Sequence, residues 1–326
     1  ITLETMLATG QFLYYGFSSF TRQSYEKAEA KSDWEDLSAK KLTNRSFLIT
    51  GANSGLGFSA AHFLAQQGGT VHMLCRNEKR GNDAKDQIIE DTGNDDVHLH
   101  ICDVGNFAQI RKFVEDFTTA DTPLDVLVNN AGVMVKNRAE IDGMESTLAI
   151  NSMSNYLLTH LLIPVLSKSD DARVIFVTSG GALTEKLLIR DNYEPKNPRN
   201  FNGTKQYART KRHQLVLTEK FAELYGSSGI GFYAMHPGWA ETPGVKRSMP
   251  GFYKKLKNKF RTPEQGADTI CWLAATDNLK KSFNGEFFRD RQLEQKHLSW
   301  ASTKSTTIQD DAFWKWCSEL TGYVPE

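Results

Sequence analysis

The sequence lacks the features that mark several protein classes. It has four cysteines, far apart and without a CxxC pair, which excludes a disulfide framework and favours a reducing compartment. The 39 lysines and arginines balance the 39 aspartates and glutamates, and no basic and aromatic strip occurs, so nucleic acid is not expected as a partner. No zinc-ligand spacing stands out, and no metal site is predicted. Internal repeats and low-complexity tracts are also absent.

Long apolar runs are missing as well, and because no run reaches 18 residues, a conventional membrane span is not predicted. A shorter apolar stripe at helical spacing occupies the beginning of the chain: Leu3, Met6, Leu7, Leu13, Tyr14, Phe17 and Phe20. It predicts either a helix packed on the body of the protein or a helix that contacts a membrane surface or a partner. The sequence begins at Ile1 rather than at methionine, so the absence of a leader is no argument for the cytosol.

Apolar runs of strand length alternate with segments of helix length. The strand-like runs are 47–50, 70–75, 97–101, 126–128, 174–178, 230–235 and a short one at 285–288. The helix-like segments are 55–67, 84–90, 108–117, 144–166, 205–224 and 263–273. This alternation predicts an α/β fold, a three-layer Rossmann-type doubly wound sheet of about seven mostly parallel strands with helices on both faces. We expect one domain over 45–291, between an amphipathic N-terminal extension (1–44) and a C-terminal extension (292–326).

Two segments of this domain break the regular alternation. The segment 182–206 is rich in asparagine, proline and glycine, which predicts a long loop. The segment 239–261 is a predicted lid, because from residue 242 onward it carries seven basic residues, no acidic residue and an apolar residue at every fourth position from Phe252 to Phe260. This pattern predicts a basic amphipathic helix. It is either an ordinary solvated lid or a lid that contacts anionic lipid and admits a lipophilic substrate.

The most informative motif is an apolar strand that runs directly into a glycine-rich turn and then into a helix, at Ser46–Gly57. Gly51 lets the chain leave the strand sharply, while Gly55 and Gly57 remove side chains where backbone must approach a ligand. The following helix offers unpaired N–H groups and the positive end of its dipole. The motif therefore predicts a site for the pyrophosphate of a dinucleotide.

Further motifs follow this turn in a specific order: Asn129-Asn130-Ala131-Gly132, Ser179 after an apolar run, Tyr207 and Lys211 four residues apart, and Pro237-Gly238. Together they resemble the pattern of the short-chain dehydrogenases/reductases over roughly residues 45–290. The stretches LCRN (74–77), HPGWAETPGV (236–245) and GADT (266–269) are most similar to the family-member-12 branch, near the retinol-dehydrogenase-like members.

The candidate catalytic residues are Asn151, Ser179, Tyr207 and Lys211. Because residues four apart share a helix face, we expect the Lys211 ammonium to lower the pKa of the Tyr207 phenol from about 10 toward neutrality. The resemblance implies that Ser179 donates a hydrogen bond to the substrate oxygen and that Lys211 reaches the nicotinamide ribose. It also implies that Asn151 holds a water that relays protons to the lysine. Thr178 is the alternative to Ser179, since it also carries a hydroxyl.

The second strand-like run ends in Cys75-Arg76-Asn77, without an acidic residue before Glu78. A carboxylate there binds the 2′-hydroxyl of NAD, whereas arginine suits the 2′-phosphate of NADP, so Arg76 predicts NADP(H), with NAD(H) as the alternative. The glycine turn and the resemblance together assign these residues to the cofactor: Gly51, Asn53, Ser54, Gly55, Leu56, Gly57, Arg76, Asp103, Val104, Asn129, Ala131, Gly132, Tyr207, Lys211, Pro237, Gly238 and Thr242.

The leading hypothesis is an NADP(H)-dependent carbonyl reductase or alcohol dehydrogenase that acts on a lipophilic ketone, aldehyde or alcohol. The aromatic beginning, the basic lid and an aromatic tail with Phe313, Trp314, Trp316 and Tyr323 suggest an alternative, an accessory subunit of a membrane-associated assembly, for which mitochondria are a candidate location. A cofactor-binding sensor is a third hypothesis. Peripheral membrane contact and pairing of two copies are further expectations, the latter because family members pair through helices that correspond to 144–166 and 205–224.

Overall fold

The computed structural model describes residues 3–324 apart from residues 196, 278 and 280. In chain order its helices and strands are α1 (Leu3–Ser19), α2 (Arg22–Lys31), β1 (Ser46–Thr50), α3 (Gly55–Gln66), β2 (Thr70–Cys75), α4 (Glu78–Thr92), β3 (Val97–Ile101), α5 (Phe107–Thr119), β4 (Val126–Asn129), β5 (Glu140–Ile141), β6 (Met144–Glu145), α6 (Ser146–Leu148), α7 (Ser154–Leu166), β7 (Arg173–Val177), α8 (Gly203–Tyr225), β8 (Gly231–Met235), α9 (Pro243–Ser248), α10 (Pro250–Leu256), α11 (Pro263–Ala275), β9 (Phe287–Arg289), β10 (Gln292–Leu293) and α12 (Thr307–Thr321).

One large sheet contains eight of these strands, in the order β10-β9-β8-β7-β4-β1-β2-β3. Along this order, all neighbouring strands between β9 and β3 are parallel, whereas β10 runs antiparallel to β9. The predicted doubly wound α/β fold is confirmed, with eight strands in the described sheet rather than about seven. The additional strand has only two residues, Gln292 and Leu293, which is too short to give a periodic signal.

The central strands are buried along their whole length, which explains why their sequences are continuous apolar runs. Every residue of β1, β4 and β7 is buried, as expected for parallel strands covered on both faces. Because these strands are parallel, their carboxyl ends meet at one edge of the sheet, where open α/β sheets bind their ligands. Helices α4, α5 and α8 begin where Asn77, Asn106 and Asn202 accept a hydrogen bond from a first-turn N–H.

The predicted helix over 144–166 is wrong in its first part. Residues Met144–Glu145 form a strand, Ser146–Leu148 one helical turn and Ala149–Met153 a π-helical turn, so regular α-helix begins only at Ser154. The Glu145 carboxylate accepts hydrogen bonds from the N–H groups of Thr147 and Leu148, and it also accepts one from the Tyr193 hydroxyl. This partner from the 182–206 loop is distant in sequence, so no local pattern indicates the break.

The lid differs from the single basic helix that we predicted. Pro250 begins a second helix after α9, because proline cannot continue a helix but fits the first turn of a new one. Leu256 and Phe260 are buried, as the apolar spacing requires, whereas Arg261 is not a solvated base. Its guanidinium is 1% exposed and pairs with Asp290 at 2.5 Å. The 182–206 segment forms short 3₁₀ turns and then enters α8 at Gly203.

The apolar stripe predicted at the beginning of the chain lies on α1, and Phe20 follows the end of that helix. Phe20 is fully buried, whereas Leu7, Leu13, Tyr14 and Phe17 are exposed by 43% to 79%. The side chains of Leu3 and Met6 lie outside the described part of the structure. Within the described residues, no helix combines the length and the apolarity that crossing a bilayer requires.

The aromatic tail forms α12, which lies on the outer face of α7 and α8. The Trp314 ring lies 5.0 Å from the rings of Tyr156 and His160, and the Phe313 ring lies 4.6 Å from that of His213. Burial of this helix explains the aromatic residues without a partner protein. It also covers part of the surface through which the family resemblance predicts pairing of two copies.

We expect Phe313→Ala to lower the free energy of unfolding by about 3–5 kcal/mol, because Phe313 is fully buried and the substitution leaves a cavity. Ile308→Ala is the matched control on the same helix, since Ile308 is 82% exposed, and it should change that free energy by less than about 0.5 kcal/mol. Urea unfolding of both variants measures the difference. Equal effects of the two substitutions would contradict the placement of α12.

Candidate active site

The glycine turn between β1 and α3 adopts the backbone conformation that its sequence predicts. Gly51 and Gly55 have φ of +68° and +59°, in the left-handed region that favours glycine. A Cβ atom on Gly57 would lie 2.5 Å from Asn130 Nδ2 and 2.6 Å from Gly51 O, so the turn packs directly against the segment that follows β4.

The amino end of α3 is prepared for an external acceptor. Ser54 occupies the N-cap position, but its side chain makes no capping hydrogen bond. Asn77 at α4 and Asn202 at α8 do make such a bond. The first N–H groups of a helix have no partner within it, and together with the dipole they attract an anion. The start of α3 is therefore suited to phosphate.

Ala131 and Gly132 form the wall of the cleft opposite the glycine turn, and one threonine holds this wall in place. Thr50 Oγ1 accepts hydrogen bonds from the N–H groups of Asn130 (2.9 Å) and Ala131 (2.8 Å), and Asn130 Nδ2 donates to Thr50 O at 2.8 Å. These bonds hold Ala131 and Gly132 beside the glycine turn, where Gly132 is exposed and Ala131 half-buried. Asn129, by contrast, is fully buried and donates to Thr159 Oγ1, so its side chain supports the strand end rather than lining the cleft.

The four candidate catalytic residues converge next to this wall. The Tyr207 phenol lies near the Ser179 hydroxyl and is partly exposed. The Lys211 ammonium lies 5.4 Å from the centroid of the Tyr207 ring, and a Cβ on Gly132 would lie 3.5 Å from that ammonium and 3.4 Å from Asn151 Oδ1. Asn151 Oδ1 accepts from Val133 N at 2.8 Å. The structure thus brings together residues that are as much as 60 positions apart in the sequence.

Lys211 does not lower the pKa of Tyr207 in this structure, contrary to our expectation. Burial raises the pKa of the Tyr207 phenol to about 12, and the nearby Ser179 hydroxyl opposes this shift. The Lys211 ammonium is 3% exposed and donates to Val177 O (2.8 Å) and Gln214 Oε1 (3.0 Å). Burial lowers its own pKa to about 7. Desolvation is therefore the largest effect on the pKa of both groups.

Ser179, and not Thr178, faces the phenol. Thr178 is buried, and its hydroxyl donates to Lys211 O at 2.9 Å, which anchors α8 to the end of β7. Ser179 is partly exposed and caps the 3₁₀ turn Gly180–Leu183, with its Oγ accepting from Gly181 N at 3.2 Å. The partners of the two hydroxyls therefore favour Ser179, the residue that the sequence analysis chose.

Sequence reasoning missed the residues that support this group. Asn151 Nδ2 donates to Val133 O (2.9 Å) and to Thr210 Oγ1 (3.0 Å), and the Thr210 hydroxyl donates to Tyr207 O at 2.7 Å. Gln214 Oε1 accepts from Lys211, and Gln214 Nε2 donates to Asn155 Oδ1 at 2.6 Å. The three-residue spacing of Lys211 and Gln214 on a helix was a readable signal. The π-helical turn around Asn151 was not, although such turns are frequent at functional sites.

Three of the cofactor candidates, Arg76, Asp103 and Val104, lie beside the glycine turn, directly after β2 and after β3. Gly51 N donates to Leu74 O at 2.8 Å, so the exposed Arg76 follows β2 close to the turn. Asp103 is half-buried, its carboxylate accepts from Gly105 N at 2.9 Å, and Val104 beside it is buried. Arg76 and Asp103 therefore face the edge of the sheet that holds the glycine turn.

The remaining cofactor candidates lie where β8 leads into the lid. Thr242 caps α9, and its side chain lies 3.3 Å from where Gly55 would carry a Cβ. Gly238 has φ of +70°, and the Arg261 guanidinium fills the space beside it, 2.3 Å from the position of a Cβ. The small size of Gly238 thus serves Arg261, while the half-buried Pro237 stays accessible.

A family model described as short chain dehydrogenase matches residues 45–190. Human dehydrogenase/reductase SDR family member 12 is 43% identical over 298 residues, which cover 91% of this chain and 92% of that protein. The chain belongs to the short-chain dehydrogenase/reductase family. Human retinol dehydrogenase 11 is more distantly similar, with 30% identity over 82% of each chain. This membership makes the chain an oxidoreductase, and it confirms the resemblance that the motif order indicated.

Solved structures share the fold at low sequence identity. An uncharacterised protein from Mycobacterium paratuberculosis superimposes with a TM-score of 0.71 at 23% identity, covering 90% of this chain and all of that one. A short-chain dehydrogenase from Escherichia coli was crystallised with NADPH (TM-score 0.62, 22% identity, covering 77% and 98%). A 3-ketoacyl-(acyl-carrier-protein) reductase from Brucella melitensis was crystallised with NADH (TM-score 0.60, 22% identity, covering 76% and 96%).

Proposed function

We propose that the protein transfers hydride between NADP(H) and a lipophilic ketone, aldehyde or alcohol. The observation that carries the proposal is the convergence of Tyr207, Ser179, Lys211 and Asn151 beside the uncapped amino end of α3. A structural role alone does not require a phenol, a hydroxyl and a buried amine at one sheet edge. The direct test is consumption of NADPH with a panel of lipophilic carbonyl compounds.

The residues present fit a nicotinamide dinucleotide. Ser54 leaves the first amides of α3 without a side-chain cap, which suits the pyrophosphate, and the exposed Arg76 guanidinium suits a 2′-phosphate. Because Gly132 has no side chain, residue 132 does not cover the Lys211 ammonium, which lies 3.5 Å from where a Cβ would be, and ribose hydroxyls could accept from that ammonium. When bound, the cofactor would supply or accept the hydride.

The protein's own residues then handle the substrate oxygen and its proton. The Tyr207 hydroxyl donates a proton to the oxygen in carbonyl reduction, and Ser179 donates a hydrogen bond that holds the oxygen in place. Lys211 returns a proton to the Tyr207 phenolate, and Asn151 would hold the water that relays protons to the lysine. Val177 O and Gln214 Oε1 fix the lysine, so the group is positioned before substrate arrives.

The preference for a lipophilic substrate is supported by the lining of the lid. Ser248 Oγ donates to Met134 O at 2.8 Å, which holds α9 against the segment after Gly132. Val245 and Met249, on the same stretch, are half-buried apolar side chains, and Met134 is half-buried as well. The accessory-subunit alternative loses one of its supports, since α12 buries the aromatic tail within this chain.

We expect Arg76→Ala to raise the dissociation constant for NADPH about tenfold to a hundredfold, the effect of losing one charged hydrogen bond. The dissociation constant for NADH should stay unchanged, because NADH has no 2′-phosphate. Lys79→Ala, in the same exposed segment and paired with Asp83, is the control for a merely local change of charge. Fluorescence titration of the wild type and both variants with both nucleotides measures the six dissociation constants. Equal weakening of NADPH and NADH binding by Arg76→Ala would contradict the assignment.

The raised pKa of Tyr207 predicts opposite pH dependences for the two reaction directions. Carbonyl reduction needs the protonated phenol, so with a pKa of about 12 this group should leave kcat for reduction flat from about pH 6 to 9. Alcohol oxidation needs the phenolate, so its kcat should rise by up to about tenfold per pH unit. Initial rates in both directions across this range test the prediction. A plateau of oxidation that is reached near pH 7 would contradict it.

A further inference from the structure

Helix α1 exposes an apolar face to solvent while a different face packs on the protein. Ala8, Phe12 and Tyr15 lie against the buried Phe20, and a Cβ on Gly16 would lie 2.7 Å from the Trp239 ring. On the other side, the exposed fractions are 44% for Leu7, 45% for Leu13, 79% for Tyr14 and 43% for Phe17. Spacings of three, four and seven residues place these four on one face. Packing of α1 on the body therefore does not account for its apolar stripe.

The basic lid borders this exposed face. Lys259 Nζ lies 5.3 Å from the centroid of the Phe17 ring, and the Phe17 ring lies 5.2 Å from that of Trp239. Trp239 in turn contacts Phe252 of α10, with ring centroids 5.3 Å apart. Four lid lysines are exposed next to this contact: Lys254, Lys255, Lys257 and Lys259. Because 242–261 contains no acidic residue, the border of the apolar face is basic.

The two elements are connected rigidly enough to act as one surface. Trp239 N donates to Phe20 O at 2.7 Å, and Arg22 Nε donates to Phe260 O at 3.0 Å. The buried Arg261 donates to Ser19 O (3.0 Å) and Thr21 O (3.2 Å) while it pairs with Asp290. The end of the lid and the end of α1 are thus held together by one backbone hydrogen bond and by arginine side chains that donate to backbone carbonyls.

We infer that the exposed face of α1 and the lysines of the lid form a docking surface for an anionic lipid bilayer. A helix with aliphatic and aromatic side chains on one face and bases beside them lies in the plane of a membrane interface. Lysines near such a surface are attracted by acidic headgroups. A second copy of this chain is a poorer occupant, since pairing through the same face would bring two sets of lysines to one border. Proteins with such a surface bind reversibly, without a spanning helix.

Co-sedimentation of the full chain with extruded vesicles tests this inference without using turnover. We expect the protein to pellet with vesicles of phosphatidylcholine and phosphatidylserine, to bind pure phosphatidylcholine much more weakly, and to be released by high salt. The double variant Leu13→Ser/Tyr14→Ser should weaken binding by on the order of tenfold or more, because it removes exposed apolar area. The matched control is Ile308→Ser on α12, an exposed apolar residue away from this face, which should bind as the wild type does.

The charged border is tested by Lys255→Gln/Lys257→Gln, which should weaken binding to the acidic vesicles roughly fivefold for each lysine removed. Lys315→Gln on α12 is the control for loss of an exposed charge elsewhere. The inference is overturned if the wild type stays in the supernatant with acidic vesicles, or if the control variants weaken binding equally. It is also overturned if sedimentation velocity finds a dimer that Leu13→Ser/Tyr14→Ser dissociates, because a second copy then covers the face. None of these outcomes bears on hydride transfer at Tyr207.

Discussion

Tyr207→Phe should lower kcat for carbonyl reduction by about 10²- to 10⁴-fold, the usual contribution of a positioned general acid. The phenol lies near Ser179 with a pKa raised to about 12, so it is protonated at neutral pH, and phenylalanine keeps the ring while removing only that proton source. We expect the dissociation constant for NADPH to change little, because the pyrophosphate contacts lie at the glycine turn. Initial rates at saturating NADPH, with binding measured separately by fluorescence, give both quantities.

Tyr253→Phe is the matched control for this substitution. Tyr253 is a lid residue whose hydroxyl donates to Glu241 Oε1 at 2.8 Å, away from the convergent group. It should retain kcat within about threefold, since no proton transfer is assigned to it. A Tyr207→Phe enzyme with wild-type kcat would show that another group protonates the oxygen.

Lys211→Met should lower turnover strongly. At neutral pH it should also remove one contribution that destabilises the folded state. Loss of the ammonium removes the proton supply behind Tyr207, and we expect kcat to fall by about 10²-fold or more. Because the Lys211 amine is almost fully buried with a pKa lowered to about 7, its charged form destabilises the folded state at neutral pH. Methionine has a similar length and removes this desolvation cost, while it leaves Val177 O and Gln214 Oε1 without their donor.

The pH dependence of stability isolates the lysine. Its pKa is about 7 in the folded protein, against 10.5 in the unfolded chain, so between these values the unfolded chain binds more protons. Wild-type stability therefore gains about 1.4 kcal/mol per pH unit from this group over that window. The contribution is absent in Lys211→Met, whereas the exposed-lysine control Lys255→Met should follow the wild type. Urea unfolding at pH 7 and pH 9 measures it. Parallel pH profiles for wild type and Lys211→Met would contradict a buried, neutralised amine.

The substitutions of Tyr207 and Lys211 probe a site in which groups needed for function lower the stability of the folded protein. A buried amine with two hydrogen-bond acceptors and no carboxylate among its described hydrogen-bond partners is costly, and such groups are typical of sites where the proton has a task. The buried Asn129 carries a similar cost, because its Oδ1 has no hydrogen-bond partner among the described residues. Both lie directly beneath the accessible wall formed by Ala131 and Gly132.

Much of this arrangement could be predicted because its signals are local. Strands β2 and β3 have the predicted bounds. Strand β2 is almost wholly buried and reads as an apolar run, whereas β3 lies at the edge of the sheet and alternates apolar residues with histidine. The glycine turn is equally local, because the positive φ of Gly51 and Gly55 restricts the residue type at those positions. The start of α4 at Glu78 was also readable, since Asn77 is a good N-cap, but the apolar spacing alone placed the helix later.

The errors concern residues whose environment is set by distant partners. Arg261 is one of seven bases in a short segment, and partners distant in sequence, among them Asp290 and the backbone of Ser19 and Thr21, make it a buried residue. The pKa of Tyr207 was misjudged for a related reason, because helical spacing gives the proximity of Lys211 but not the loss of water around both groups. Sequence patterns indicate which residues are neighbours within one helix or strand. The burial of a residue depends on which other parts of the chain pack against that helix or strand.

The most direct measurement of the central claim follows the hydride itself. The protein is incubated with NADPH that carries deuterium at the transferring position of its nicotinamide, together with a panel of lipophilic ketones and aldehydes, and the products are analysed by mass spectrometry. The account predicts one deuterium on the former carbonyl carbon of at least one product with the wild type, and much less with Tyr207→Phe. Tight binding of NADPH without deuterium transfer to any carbonyl would contradict it.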